Sequence, residues 1–169
     1  MSIDPIFTVD EQKNELYISS SFDNEITVYN PMNWEVVRRI SVAHKNFGPL
    51  NNIPMDKSNF PSSGILRRYA FNKELVHFDS DLLGLIYVRD ITEAVFELRE
   101  SEGKLSYTKD PEFHRLILFK DGIQLPGELT IPSGLIQMAL PNNRVLVKVV
   151  NEEEELDYIP FEIWEIIEK

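Results

Sequence analysis

Short apolar runs alternate with turn residues along the whole chain, and the alternation has the period of a strand rather than a helix. Runs over 6–9, 15–19, 26–29 and 34–42 are separated by Asp/Asn turns and by Asn30-Pro31-Met32-Asn33, which breaks the ladder because proline cannot donate to it. These pieces read as a meander of three or four antiparallel strands. β structure restarts over 65–71 and continues over 75–78 and 83–89. The stretch 90–99 is ambiguous: Ile91, Val95 and Leu98 sit at helical spacing, while its VFEL segment alternates as a strand does. The last third reads as a buried strand, FHRLILF (113–119), and a hairpin turn at Lys120-Asp121-Gly122. An edge or bulged strand over 123–131 follows, holding Pro126 and Gly127. A hairpin of 134–140 with 144–150 and a final strand over 156–167 complete it. The class is all-β, and short, evenly spaced strands suit a sandwich, a barrel or propeller blades.

The runs fall into three groups, 6–42, 65–105 and 113–168, each about the size of a blade of ~40–50 residues. Between the first two lies a loop near 43–64 that holds Pro49, Pro54 and Pro61; loops of this length are uncommon in compact domains and are often functional. The 169 residues form one domain with enough chain to bury a core. The net charge of −11 argues against broad nucleic-acid or anionic-membrane binding. With no cysteine, disulfides, thiol nucleophiles and Cys-type metal sites are excluded. The N-terminal residues do not pattern as a signal peptide, and no apolar run is long enough to span a bilayer.

The stretch LYISSSFDNEITVYNPMNWEVVRRI (16–40) resembles a blade of bacterial propeller repeats of the NHL and YVTN kind. With LVHFDSDLLGLIYVRD (75–90), FHRLILFKDG (113–122) and EEELDYIPFEIWEI (153–166), the chain resembles the C-terminal half of a bacterial six-bladed, propeller-like lipoprotein family of unassigned function. The resemblance implies antiparallel meander blades and a periplasmic or cell-envelope location. The chain has about half the family's usual length. Three blades cannot close a ring, and open strand edges invite pairing with another chain. Closure then comes from a homodimer, from a longer natural chain, or from some other self-closed β form such as a barrel or sandwich.

Candidate chemistry is sparse. There is no phosphate loop, dinucleotide fingerprint, HExxH or GxSxG. His44, His77 and His114 lie in three separate segments, and Asp79, Asp81 and Asp121 lie where turn propensity explains them. No metal or cofactor is expected. Glu152 to Glu155 form an acidic tip that reads as a solvated turn. The tandem pairs Arg38-Arg39 and Arg67-Arg68 lie on strands, so only one of each pair can face a given groove. Arg67, Tyr87, Arg89, His114 and Arg115 are the candidate ligand-binding set, an anion-binding patch on an acidic protein. The competing reading is cross-strand ion pairing with the excess acids. Trp34, Tyr69, Tyr87, Phe113, Tyr158 and Trp164 could line a carbohydrate platform or fill the core. The expected function is a non-catalytic binding or interaction module, its partner a protein or a small anionic or carbohydrate ligand. The alternatives are a hydrolase or lyase with a carboxylate/histidine site on a blade-loop face, and a β-barrel binding a small ligand.

Overall fold

The computed structural model describes residues 5–47, 68–79, 81–104, 106–131, 133–150 and 157–167. The fold is all-β, built from three antiparallel meanders. Sheet 1 has the order β1 (Pro5–Asp10), β2 (Glu15–Ser20), β3 (Glu25–Tyr29), β4 (Val36–Ser41). Sheet 2 has the order β5 (Phe71–His77), β6 (Leu82–Val88), β7 (His114–Lys120), β8 (Ile123–Gln124). Sheet 3 has the order β11 (Phe161–Glu165), β10 (Arg144–Val149), β9 (Gly134–Leu140). Each described sheet begins and ends on a different strand, so the barrel alternative does not hold.

Turn chemistry sets the meanders. Asp121 and Gly122 both have positive φ, as do Asn142 and Asn143. Two consecutive left-handed residues are the geometry that matches the twist of a tight hairpin, and Gly, Asn and Asp reach it at least cost. Asn14 and Asp81 do the same work at the β1–β2 and β5–β6 turns.

The sheets stack face to face through the middle one. Every residue of β6 (LLGLIYV) is buried. Leu83, Leu85 and Tyr87 of β6, with Leu75, Ile117 and Phe119, meet Tyr17, Ile26, Val28 and Ile40 of sheet 1. On the other face Leu82, Ile86, Leu116 and Leu118 meet Ile136, Val145 and Val147 of sheet 3. Gly84 sits in the middle of β6 because a Cβ there would lie 2.8 Å from Val76 Cγ2 and 2.9 Å from Leu116 Cδ1. Neighbouring side chains of the same sheet close over this point and leave no room for one on Gly84.

The ambiguous stretch 90–99 resolves as α1 (Glu93–Ser101), capped by Thr92, whose hydroxyl accepts from the Val95 amide at 3.4 Å. No residue of α1 is buried, so it lacks the core-facing stripe that would have announced it. The third sequence group also divides differently. The run at 113–119 pairs along its length with β6, from Leu82–Lys120 to Val88–His114, and so belongs to the middle sheet. Its chain neighbour 123–131 keeps only β8 and one bridge, Leu116–Leu129. Most of the 43–64 loop, the residues 65–67 and the acidic tip lie outside the described residues.

Sheet 1 is pinned to sheet 2 by Asn72, which is 1% exposed. Its backbone amide donates to the Ser21 carbonyl at 2.7 Å. Its side-chain amide donates to the carbonyls of Ser20 (3.0 Å) and Asp23 (2.7 Å), and its side-chain oxygen lies 2.8 Å from His44 Nε2. Asn72→Ala removes the two side-chain bonds to the turn carbonyls of Ser20 and Asp23 and is expected to cost about 1–3 kcal/mol. Urea unfolding should show the midpoint falling at unchanged slope. Asn72→Asp, which cannot donate, should lose nearly as much; a change below ~0.5 kcal/mol in both would show that Asn72 does not tie the sheets.

Candidate functional site

The middle sheet brings three of the five expected ligand-binding residues to one end. Tyr87 and Arg115 are direct cross-strand partners on the face toward sheet 1. Arg89 follows two residues after Tyr87, close enough that its charge, after burial, helps push the Arg115 guanidinium below its ordinary value. His114 pairs with Val88 and points to the opposite face. Arg67 lies outside the described residues.

The cations of this cluster are engaged by their own chain. Arg89 Nη2 is 3.2 Å from Glu112, and its guanidinium lies over the Phe113 ring at 4.9 Å. Arg115 Nη1 donates to the carbonyls of Glu112 at 2.6 Å and His114 at 2.7 Å. Arg89 Nε is buried with no acceptor among the described residues. The other arginines pair likewise: Arg38 with Glu15 at 2.5 Å, Arg39 with Glu25 at 2.6 Å, and Arg68 with Glu93 at 3.2 Å. Of these pairs, Arg39–Glu25 joins neighbouring strands, β4 and β3.

Sequence reasoning missed the groups that join the layers. Glu128 accepts from the Tyr87 hydroxyl, 2.9 Å from both carboxylate oxygens, and from the Lys45 amide at 2.8 Å. Burial and this bond raise the Tyr87 phenol well above its ordinary value. His44 stacks on Phe47 with ring centroids 4.0 Å apart and meets Tyr87 edge-on at 4.8 Å. Burial lowers its pKa. At the far end of the same interface, buried Asp10 lies 3.2 Å from His77 Nε2, and Tyr17 bonds Glu15 at 2.7 Å. Nothing local marks Glu128, which follows a Pro-Gly break; Asp10 had a signal, since its carboxylate caps the turn amides of Gln12 and Lys13. The three histidines stay apart, and the described residues hold no group of three or more His, Asp or Glu side chains able to bind a metal.

The aromatics divide. Tyr87 and Phe113 are core residues. Trp34 is exposed in the β3–β4 turn, while Tyr158 and Trp164 are exposed around β11.

The largest unsatisfied feature is apolar. In β2 and β3 buried residues alternate strictly with half-buried ones. The half-buried set faces away from sheet 2: Leu16, Ile18 and Tyr29 are its apolar members beside Ser20, Glu25 and Thr27, and exposed Phe7, Val9 and Val36 flank them. Sheet 3 repeats this. The register places Leu135, Met138, Leu146, Phe161 and Ile163 on its outward face beside Arg144, Lys148 and Glu165, and Met138, Phe161 and Ile163 are 51%, 51% and 60% exposed. Solvated faces of antiparallel sheets ordinarily carry polar residues. A separate apolar groove of about 700 Å³ runs between sheets 2 and 3, lined by Leu118, Leu125, Leu129, Val145, Trp164 and Ile166 among others. No helix among the described residues is long and apolar enough to cross a membrane.

No family model, curated protein or solved structure matches the chain.

His114 generates a pH prediction. Burial, with Lys73 nearby, lowers its pKa from 6.5 to about 4. Between those values the unfolded chain binds more protons than the folded one, so stability falls as pH falls through the window and is complete above it. His44 adds a shift of the same sign. The urea midpoint should therefore drop between pH 7 and pH 4, with up to about 3 kcal/mol from His114. His114→Gln, which can still donate to the Thr108 carbonyl that His114 Nε2 meets at 3.0 Å, should flatten the dependence. A slope unchanged by the substitution would remove His114 as its source.

Proposed function

We propose that the protein is a propeller-like, non-catalytic interaction module that binds a protein partner through the outward faces of sheets 1 and 3. The observation that carries this reading is the pair of apolar outer faces at the two ends of the stack. Exposed apolar surface beyond a few scattered residues marks contact surfaces, and here strand register gathers apolar residues onto one side of each outer sheet. A protein partner is favoured over a small anion because the guanidinium groups of the arginine cluster already meet the chain's own acids and carbonyls.

A second reading rests on the groove between sheets 2 and 3. Its volume of about 700 Å³ and its Leu, Val, Ile and Trp lining fit the size and chemistry of a small-molecule site. A small apolar ligand there would replace the barrel form of this idea, since the sheets stay open.

A photo-crosslinking phenylalanine analogue placed at Phe7, at Ile163 or, as control, at exposed Glu97 on α1 distinguishes these readings in cells producing the full chain. Protein adducts are expected several-fold more often at the two faces than at the helix. Equal yields at all three positions would overturn the interaction module.

A further inference from the structure

We propose that β11 is a self-pairing edge: two copies of the chain join antiparallel along it, Ile163 opposite the partner's Ile163, so that their three-stranded sheets become one sheet. This goes beyond the interaction-module reading and does not rest on it, since it uses the edge of sheet 3 and not its face.

β11 is a regular, open sheet edge. It pairs with β10 from Phe161 to Glu165 without a register shift, and no described strand lies on its other side. All its residues are exposed. The remaining edges are blunted. β4, β5 and β9 carry register shifts against their neighbours. β8 has two residues and runs into Pro126-Gly127, and β1 lies against β5. Bulges, short strands and edge lysines are the usual protection against strand addition. The sequence FEIWE of β11 has none of them.

The hydrogen-bond phase fixes how this edge can be extended. The Val149 amide donates to the Pro160 carbonyl at 3.0 Å, and the Ile166 amide to the Asn143 carbonyl at 2.8 Å. Antiparallel bonding alternates along a strand, so Pro160, Glu162, Trp164 and Ile166 turn their backbone groups to β10. Phe161, Ile163 and Glu165 turn theirs to the open edge, and an added strand must bond to them. Two copies of β11 meet this demand in one register that uses the whole strand. Ile163 bonds the partner's Ile163, and Phe161 bonds the partner's Glu165. Every edge-facing N–H and C=O of both strands is then paired. The smallest slip that keeps the phase is two residues. It leaves part of each strand unpaired, and in one direction it sets Glu162 against the partner's Glu162.

Side chains favour the same register. On the outward face the central row of the joined sheet runs Met138, Leu146, Ile163 and then the same residues of the second copy in reverse, so it is apolar from one side to the other. Glu165 stays opposite Arg144 of its own chain and meets the partner's Phe161. Glu162 meets the partner's Trp164. No acid therefore lies opposite an acid, the arrangement that destabilises strand pairs. The charged groups of β10 and β11 are Arg144, Lys148, Glu162 and Glu165, so the two strands are neutral together. A basic peptide has no charge advantage at this edge, whereas a second β11 matches it in phase, length and side chains.

Light scattering behind a sizing column, on the purified full chain from about 5 to 500 µM, should show the mass rising from 19.7 kDa toward twice that value and no further, because a two-fold pair uses up the edge it needs. The chain has no cysteine, so one introduced cysteine carries a nitroxide label at a chosen position. With strands ~4.8 Å apart, the Leu146 positions of the pair lie three spacings apart, about 14 Å, and the Met138 positions five, about 24 Å. Dipolar coupling should therefore be much stronger for labelled Leu146→Cys than for labelled Met138→Cys. Ile163→Pro removes an N–H that faces only the open edge, and Ile163→Lys keeps the backbone but sets like charges opposite each other. Each should weaken association at least ten-fold and leave the urea midpoint of the monomer nearly unchanged. A monomer at the highest concentration, mass beyond the dimer, coupling at Leu146 no stronger than at Met138, or a dimer that withstands Ile163→Lys would each overturn the inference. Adducts at Phe7, on sheet 1, read the interaction module separately, so a monomer removes the β11 pair and leaves that reading to its own test.

Discussion

Everything in this fold depends on a middle strand that cannot be solvated on either side. The residues of β6, Leu82 to Val88, are all buried, and their seven positions hold no charge and one hydroxyl, that of Tyr87. A strand with an apolar residue on both sides of the pleat requires a sheet on each face. Sheets 1 and 3 are therefore demanded by β6 as much as by their own sequences. The demand is met on one side by Tyr17, Ile26, Val28 and Ile40 and on the other by Ile136, Val145 and Val147. Gly84 marks where the neighbouring side chains close over the strand and leave room for none of its own.

Apolar contact brings the layers together but does not set how they lie. Polar groups at the rims of the interfaces do that, because a hydrogen bond has direction and hydrophobic burial does not. Between sheets 1 and 2, Asn72 holds the Ser20–Asp23 turn at one end. Asp10 meets His77 at the other. Gln124 pairs both backbone groups of Ala43, at 2.8 and 2.9 Å, and Glu128 holds the next residues to Tyr87. These contacts use the buried carboxylates, phenols and imidazoles of the interface as structural partners. A slip of the layers would strand several of them at once, and stranded buried polar groups are costly.

The strand rhythm was legible because Asn, Asp, Gly and Pro punctuate it, and these residues act locally. The turns at Asp121-Gly122 and Asn142-Asn143 could be read from two residues each, and the structure places left-handed backbone there. Grouping of strands into sheets was legible only in part. The strand 114–120 is separated from its partner β6 by α1 and a long connection, and nothing within the strand states which side of that insertion it pairs with. The helix was ambiguous because it lies on the surface with no buried residue, so burial adds nothing to the helical spacing of Ile91, Val95 and Leu98 against the strand-like alternation of VFEL. The candidate site suffered from the same limit. Tyr87, Arg89 and Arg115 could be grouped from two adjacent strands, but strand parity sends His114 to the other face. Glu128 and His44 join that cluster from segments far away in sequence. Local chemistry is visible in a sequence, and convergence of distant segments is not.

The outward faces show that the stack is patterned as though it continued. Leu16, Ile18 and Tyr29 stand on the solvent side of strands whose other side is Tyr17, Ile26 and Val28. A sheet meant to end the fold would place threonine, lysine or glutamate at those positions. Sheet 3 breaks the same rule with Met138, Leu146, Phe161 and Ile163. Eight of the chain's 28 acids lie in its last 19 residues, and a net charge of −11 opposes indiscriminate association. Terminal sheets therefore carry the pattern of interior ones, and the physical consequence is a molecule whose fold ends on two surfaces that water covers poorly.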